Sequence, residues 1–237
     1  PFHNEHMATE PDARMAQNLL TAFIARGLAH RSLADAVMEH TVFFKNHGST
    51  AGASLVHPHS QIVSTPVVPV EAQRLQTLAM DYFRTHRVSL YERIVAEEIA
   101  LHREYTTTGN KNRRGHSRVV ELTPHFVTVV PFASSGPGVM TILPRFHASG
   151  DVASDYVDTS DLTSLTPALR EECGTILWRT LQRLHRLYEE PDFNLVVQTA
   201  PVPQRGVQAA VQASAFFRWH IRITPRVCCF FLHTCSD

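Results

Sequence analysis

The chain has 237 residues, 43% of them hydrophobic, and its 22 basic side chains are matched by 22 acidic ones. This balance offers no basic surface for nucleic acid, no apolar run is long enough to cross a bilayer, and the first residues carry no secretion-signal pattern. The expectation is a cytoplasmic chain, either one large domain or a pair of small ones, with no nucleic-acid or membrane partner.

Met15, Leu19, Leu20 and Phe23 recur at helical spacing and predict a helix over Asp12–Arg26, with a shorter one at Ser32–His40. Thr41–Asn46 is apolar and aromatic and reads as a strand. A loop, His47–Ala53, leads into a second strand over Ser54–Ser64, and Pro66 and Pro69 mark a turn. Leu75, Leu78, Tyr82 and Phe83 share a helix face, and helical propensity continues irregularly to Leu101. Thr106–Ser117 is a polar loop; its basic run Lys111-Asn112-Arg113-Arg114 reads as a solvated surface. Val119–Leu122, His125–Phe132 and Val139–Leu143 read as three strands. Asp161–Glu189 is helical in its second half, where Leu169, Cys173, Ile176, Leu177, Leu181, Leu184 and Tyr188 form one stripe. Strands follow at Phe193–Thr199 and Phe216–Thr224.

The chemistry is concentrated between Phe43 and Gln61. His57-Pro58-His59-Ser60-Gln61 places two imidazoles two residues apart, on one face if the segment is a strand. A neutral imidazole can attack a phosphorus and hold the transferred group as a phosphoramidate. One ring nitrogen must then supply the lone pair while the other gives its proton to a fixed acceptor, often a backbone carbonyl. Donors must also surround the developing charge. The Gly52-Ala53-Ser54 backbone, the Ser54 hydroxyl and the Asn46 and Gln61 amides are the candidates.

The run Phe43–Gln61 resembles the active-site segment of the galactose-1-phosphate uridylyltransferase family, within the histidine-triad superfamily. The likeness resumes at Pro131-Phe132-Ala133, Ile142-Leu143-Pro144, Phe193-Asn194, Thr199-Ala200-Pro201 and Trp219–Arg226. The wording Lys45-Asn46-His47-Gly48 and Ala51-Gly52-Ala53-Ser54 is nearest to the ADP-glucose phosphorylase-like branch. The resemblance implies an α+β fold of histidine-triad-like units, each an antiparallel sheet with packed helices. Residues 1–66 would be the end of a first unit carrying the active-site motif, 67–226 a second unit, and 227–237 an atypical tail. It implies that His59 is the nucleophile and that Asn46, Gly52, Ser54 and Gln61 hold the substrate. It also implies nucleotide-sugar and hexose 1-phosphate substrates, and a homodimer.

Zinc is the cofactor the resemblance implies. His57 would be a ligand if further ligands precede residue 1, and His147 and His220 are weaker candidates. The family's second cysteine pair would fall at Ser89-Leu90-Tyr91-Glu92, where serine and glutamate stand instead. No Cys-x-x-Cys occurs; Cys173 reads as a core thiol, and Cys228, Cys229 and Cys235 crowd the end. A second zinc site is therefore expected to be absent, and the protein is expected to be incomplete at both ends. The leading expectation is a nucleotidyltransferase working through a nucleotidyl-His59 intermediate. Phosphorylase-type transfer to inorganic phosphate is one alternative. A truncated homologue that only binds nucleotide or dimerises is another.

Overall fold

In the computed structural model, residues 7–32, 38–108, 117–145, 160–201 and 213–227 are described. Among them the elements run α1 (Arg14–Ser32), β1 (His40–His47), β2 (Gln61–Thr65), α2 (Val70–His86), α3 (Leu90–Thr108), β3 (Val119–Leu122), β4 (Phe126–Val129), β5 (Met140–Pro144), α4 (Pro167–Tyr188), β6 (Phe193–Gln198) and β7 (His220–Pro225). All seven strands join one sheet in the order β2-β1-β6-β7-β5-β4-β3, every neighbouring pair antiparallel. This is the α+β architecture expected from the sequence. The sequence-based boundary at residue 66 falls between β2 and α2, and β1 and β2 share their sheet with all the later strands.

Strand periodicity explains what lies on each face. In β6 and β7 every second residue is buried: Phe193, Leu195 and Val197, then Ile221 and Ile223. These meet Leu169, Ile176, Leu177, Leu181 and Leu184 of α4 and Leu20 and Phe23 of α1 in the main core. Each such side chain contributes roughly 1.5–3 kcal/mol when fully buried. The alternate residues of the same strands, Asn194, Gln198, His220 and Arg222, face away from that core and remain half-buried. The strand β4 is buried throughout. Phe126 meets the main core, while Val127 and Val129 pack on Val95 and Ile99 of α3.

Helix starts and stops are chemically marked. Thr166 caps α4 by accepting the Leu169 N–H, and Pro167 opens its first turn. A Cβ on Gly174 of α4 would lie 2.8 Å from the Gln17 Cα, so this glycine sets how closely α4 approaches α1.

Three boundaries differ from the sequence expectation. α1 continues through Ser32, and the expected helix to His40 instead meets β1; residues 33–37 lie outside the described set. The helix expected to carry Leu75, Leu78, Tyr82 and Phe83, with helical propensity running on irregularly to Leu101, is two helices. Arg87 adopts φ 60°, and its N–H returns to the Phe83 carbonyl at 2.8 Å, which closes α2. Finally, β2 begins at Gln61, not Ser54. Its last cross-strand pair is Phe44 with Gln61, and Pro58 has no N–H to extend the ladder. His57 and His59 therefore stand in a loop, and the shared strand face expected for them does not exist. The basic run at 111–114 and the tail at 228–237 lie outside the described residues.

Candidate active site

The site forms where the polar faces of β1 and β6 meet. Antiparallel register sets Asn46 opposite Asn194. The Asn194 Nδ2 donates to the Asn46 Oδ1 at 2.8 Å and to the Ala51 carbonyl at 2.8 Å. The Arg226 Nε donates to the Asn194 Oδ1 at 2.6 Å. A guanidinium only donates, so it decides which end of the Asn194 amide is oxygen. That in turn assigns the Asn46 oxygen inward and leaves the Asn46 Nδ2 as the outward donor. This nitrogen lies 3.9 Å from where a Gly52 side chain would begin.

Two glycines shape the loop that follows β1. Gly48 and Gly52 have φ of 83° and 81°, a region that disfavours side chains. The Gly52 N–H donates to the Ser49 carbonyl at 3.0 Å and the Ala53 N–H to the Gly48 carbonyl at 3.1 Å. These two N–H groups close the turn, so they are not the outward-facing anion nest the sequence suggested. Asp192, just before β6, fastens the loop: its Oδ2 accepts the Thr50 N–H at 2.8 Å and the Thr50 hydroxyl at 2.6 Å. The His47 ring stacks on Phe193 with centroids 5.2 Å apart. Burial, together with Lys45 nearby, holds His47 below the usual histidine value.

Of the histidine pair, His57 is exposed and His59 half-buried. The His59 Nδ1 lies 2.9 Å from the His57 main-chain carbonyl. A carbonyl only accepts, so in the neutral ring Nδ1 carries the proton and Nε2 keeps the lone pair. The Lys45 Nζ donates to the His59 carbonyl at 3.0 Å. Ser54 is exposed, and Gln61 is half-buried at the start of β2, paired with Phe44. An imidazole held in this tautomer offers its Nε2 lone pair, which is chemically competent for attack on a phosphoryl group.

Among the described residues the metal candidates do not come together. His147 lies outside the described residues. Ser89 is buried and donates to the Phe216 carbonyl at 2.9 Å, and Glu92 is ion-paired to Arg218. The His220 Nδ1 donates to the Arg218 carbonyl at 3.0 Å, with the Tyr91 ring centroid 5.5 Å away. Burial, with Arg222 beside it, pushes His220 down to about 4. Among the described residues no three His, Cys, Asp or Glu side chains group as metal ligands. A guanidinium paired to Glu92 is the wrong charge for a cation site. The donor set at Ser89, Glu92 and His220 does not fit zinc.

The sequence pointed to His57, His59, Asn46, Gly52, Ser54 and Gln61 but gave no role to Lys45, Asp192 or Arg226. The signal for Lys45 was its place in the inward alternation Thr41, Phe43, Lys45, where a lysine is out of character.

No family profile matches the chain. It is 28% identical over 185 residues to an ADP-glucose phosphorylase of Arabidopsis thaliana, covering 78% of this chain and 42% of that protein. It is 23% identical over 190 residues to a galactose-1-phosphate uridylyltransferase of Thermotoga maritima, covering 79% and 49%. The chain is thus similar in sequence to galactose-1-phosphate uridylyltransferases and to an ADP-glucose phosphorylase. Its fold is theirs as well. A crystal structure of an Arabidopsis thaliana ADP-glucose phosphorylase with bound ADP-glucose superposes with a TM-score of 0.73 at 23% identity, over 96% of this chain and 62% of that one. A uridylyltransferase structure gives 0.69 at 23% identity, over 92% and 58%. The chain spans less than half the length of the two curated relatives named above. No described helix is long and apolar enough to cross a membrane.

Proposed function

We propose that this chain carries the nucleotidyl-transfer centre of an enzyme acting on nucleotide sugars and hexose 1-phosphates. The His59 Nε2 lone pair attacks the α-phosphorus of a nucleotide sugar. A P–N bond forms, the P–O bond to hexose 1-phosphate breaks, and the electron pair leaves with that oxygen. The Nδ1 proton stays on the ring, held by the His57 carbonyl. An acceptor phosphate oxygen then attacks the same phosphorus and releases the imidazole. Asn46 Nδ2, the Ser54 hydroxyl and the Gln61 amide would donate to the phosphoryl oxygens, with Gly52 allowing close approach.

The observation that carries this reading is the 2.9 Å contact from Nδ1 to the His57 carbonyl, which leaves Nε2 as the nucleophile. The identity of 28% to an ADP-glucose phosphorylase, against 23–26% to several uridylyltransferases, supports inorganic phosphate as the acceptor. Isotope exchange tests both points. Labelled glucose 1-phosphate should enter ADP-glucose or UDP-glucose in the absence of a second acceptor, as a ping-pong scheme requires. Added inorganic phosphate should then release nucleoside diphosphate. No exchange with either nucleotide sugar refutes double displacement, and exchange without phosphorolysis refutes the phosphorylase reading.

A further inference from the structure

Lys45 is a buried charge that the proposed chemistry leaves unused. It lies on the inward face of β1 and is 4% exposed. Burial pushes its ammonium below the usual lysine value, and no carboxylate among the described residues pairs with it. An unpaired buried ammonium works against stability. Among the described residues, the one hydrogen bond it makes goes to the main-chain carbonyl of His59, 3.0 Å away.

The place of that bond matters. Cross-strand pairing between β1 and β2 ends at Phe44 with Gln61, so Lys45 is the first β1 residue past the ladder. The main chain that would have continued the ladder is the segment holding His59. Lys45 therefore ties to β1 a stretch that backbone pairing does not hold. The ring is tied separately, through Nδ1 to the His57 carbonyl. Carbonyl and Nδ1 are both fixed, and Nε2 is the atom left over.

We propose that Lys45 is a positioning residue: it clamps the His59 main chain so that Nε2 meets the phosphorus at a fixed distance and angle. The proposal rests on the assignment of His59 as nucleophile. It separates cleanly from a merely structural role, because the two have opposite signs. A lysine kept for stability would weaken the fold when replaced. A positioning lysine kept despite its burial would leave a neutral replacement at least as stable and slower.

The test uses the full chain with Lys45→Met, which keeps length and loses the donor, and Lys45→Arg, which restores one. ADP-glucose and UDP-glucose labelled at the α-phosphorus are followed in single turnovers. The Met variant is expected to hold its melting temperature and to label His59 roughly 10- to 100-fold more slowly, the scale of a misplaced reacting group. The Arg variant should recover part of that rate. A Met variant that labels at the wild-type rate, or one whose slower labelling only follows a lost folded fraction, overturns the proposal. Should the unaltered chain form no adduct, the nucleophile assignment is what fails. The clamp is then read from the ring 15N spectrum of His59, where Lys45→Met is expected to mix the two tautomers and an unchanged single tautomer overturns it.

Discussion

Asn194 on β6 donates to the Asn46 side-chain oxygen on β1 across 2.8 Å, and Arg226 fixes the direction of that bond from behind. The Asn46 side chain on β1 is thus oriented by a cation just past the end of β7, and in the proposed function its outward nitrogen is a phosphate donor. Replacing Asn194 by Asp removes the donated proton but keeps the size and the Arg226 partner. Asn46 is then free to turn its oxygen outward, toward an anionic substrate. The expected result is a loss of kcat/KM for nucleotide sugar of roughly 10- to 100-fold, the scale of an orphaned hydrogen bond of 1–3 kcal/mol. Circular dichroism should be unchanged. Wild-type kcat/KM in this variant would show that Asn46 needs no such guide.

The loop after β1 depends on a missing side chain. A Cβ on Gly48 would fall 1.6 Å from the Asp192 Oδ1, and the residue sits at φ 83°. Gly48→Ala should therefore expel Asp192 from Thr50 and add backbone strain of about 1–3 kcal/mol. Gly136 is the control, because nothing lies within 4 Å of its Cβ position. Limited proteolysis should find the 48–54 loop opened in Gly48→Ala and intact in Gly136→Ala. Equal resistance in the two variants would remove Asp192 from the account.

Acid should weaken the fold in two stages. Burial holds His40, His47 and His220 below the ordinary histidine value of 6.5. A group with a depressed folded pKa stabilises fully above its unfolded pKa and loses that contribution as pH falls toward the folded one. The first losses should therefore begin below about pH 6.5. A second stage belongs to Asp161. Burial alone would raise it, but Arg31 and Thr163 outweigh that and hold it below 3.8, so its contribution is lost only in stronger acid. Urea denaturation from pH 8 to 5 should show the midpoint already falling, and His40→Val should flatten part of that fall. A flat midpoint down to pH 5 would contradict the burial of these rings.

Much of this was legible in the chain because it is local. The α4 stripe, the alternation in β6 and the glycine-histidine run each declare themselves within a few residues. What escaped is long-range. Asp192 touches Thr50, and Arg226 touches Asn194, only because β6 pairs with both β1 and β7. No periodicity near residue 46 announces a partner near 194. The segment at His57 and His59 is a loop where the sequence predicts a strand, for a related reason. Alternation there is real, but whether it becomes a strand depends on a neighbour edge, and β1 stops pairing with β2 at Phe44. The two N–H groups of Gly52 and Ala53 were counted as phosphate donors because sequence gives their presence and not their direction.

The central claim is that the His59 Nε2 becomes covalently nucleotidylated. The direct measurement is to incubate the chain with ADP-glucose or UDP-glucose labelled at the α-phosphorus, quench it in base, and map the adduct by mass spectrometry. Label is expected on His59 alone, stable in base, released by acid, and absent after His59→Ala. Label that persists in His59→Ala, or that maps to His57, would contradict the account.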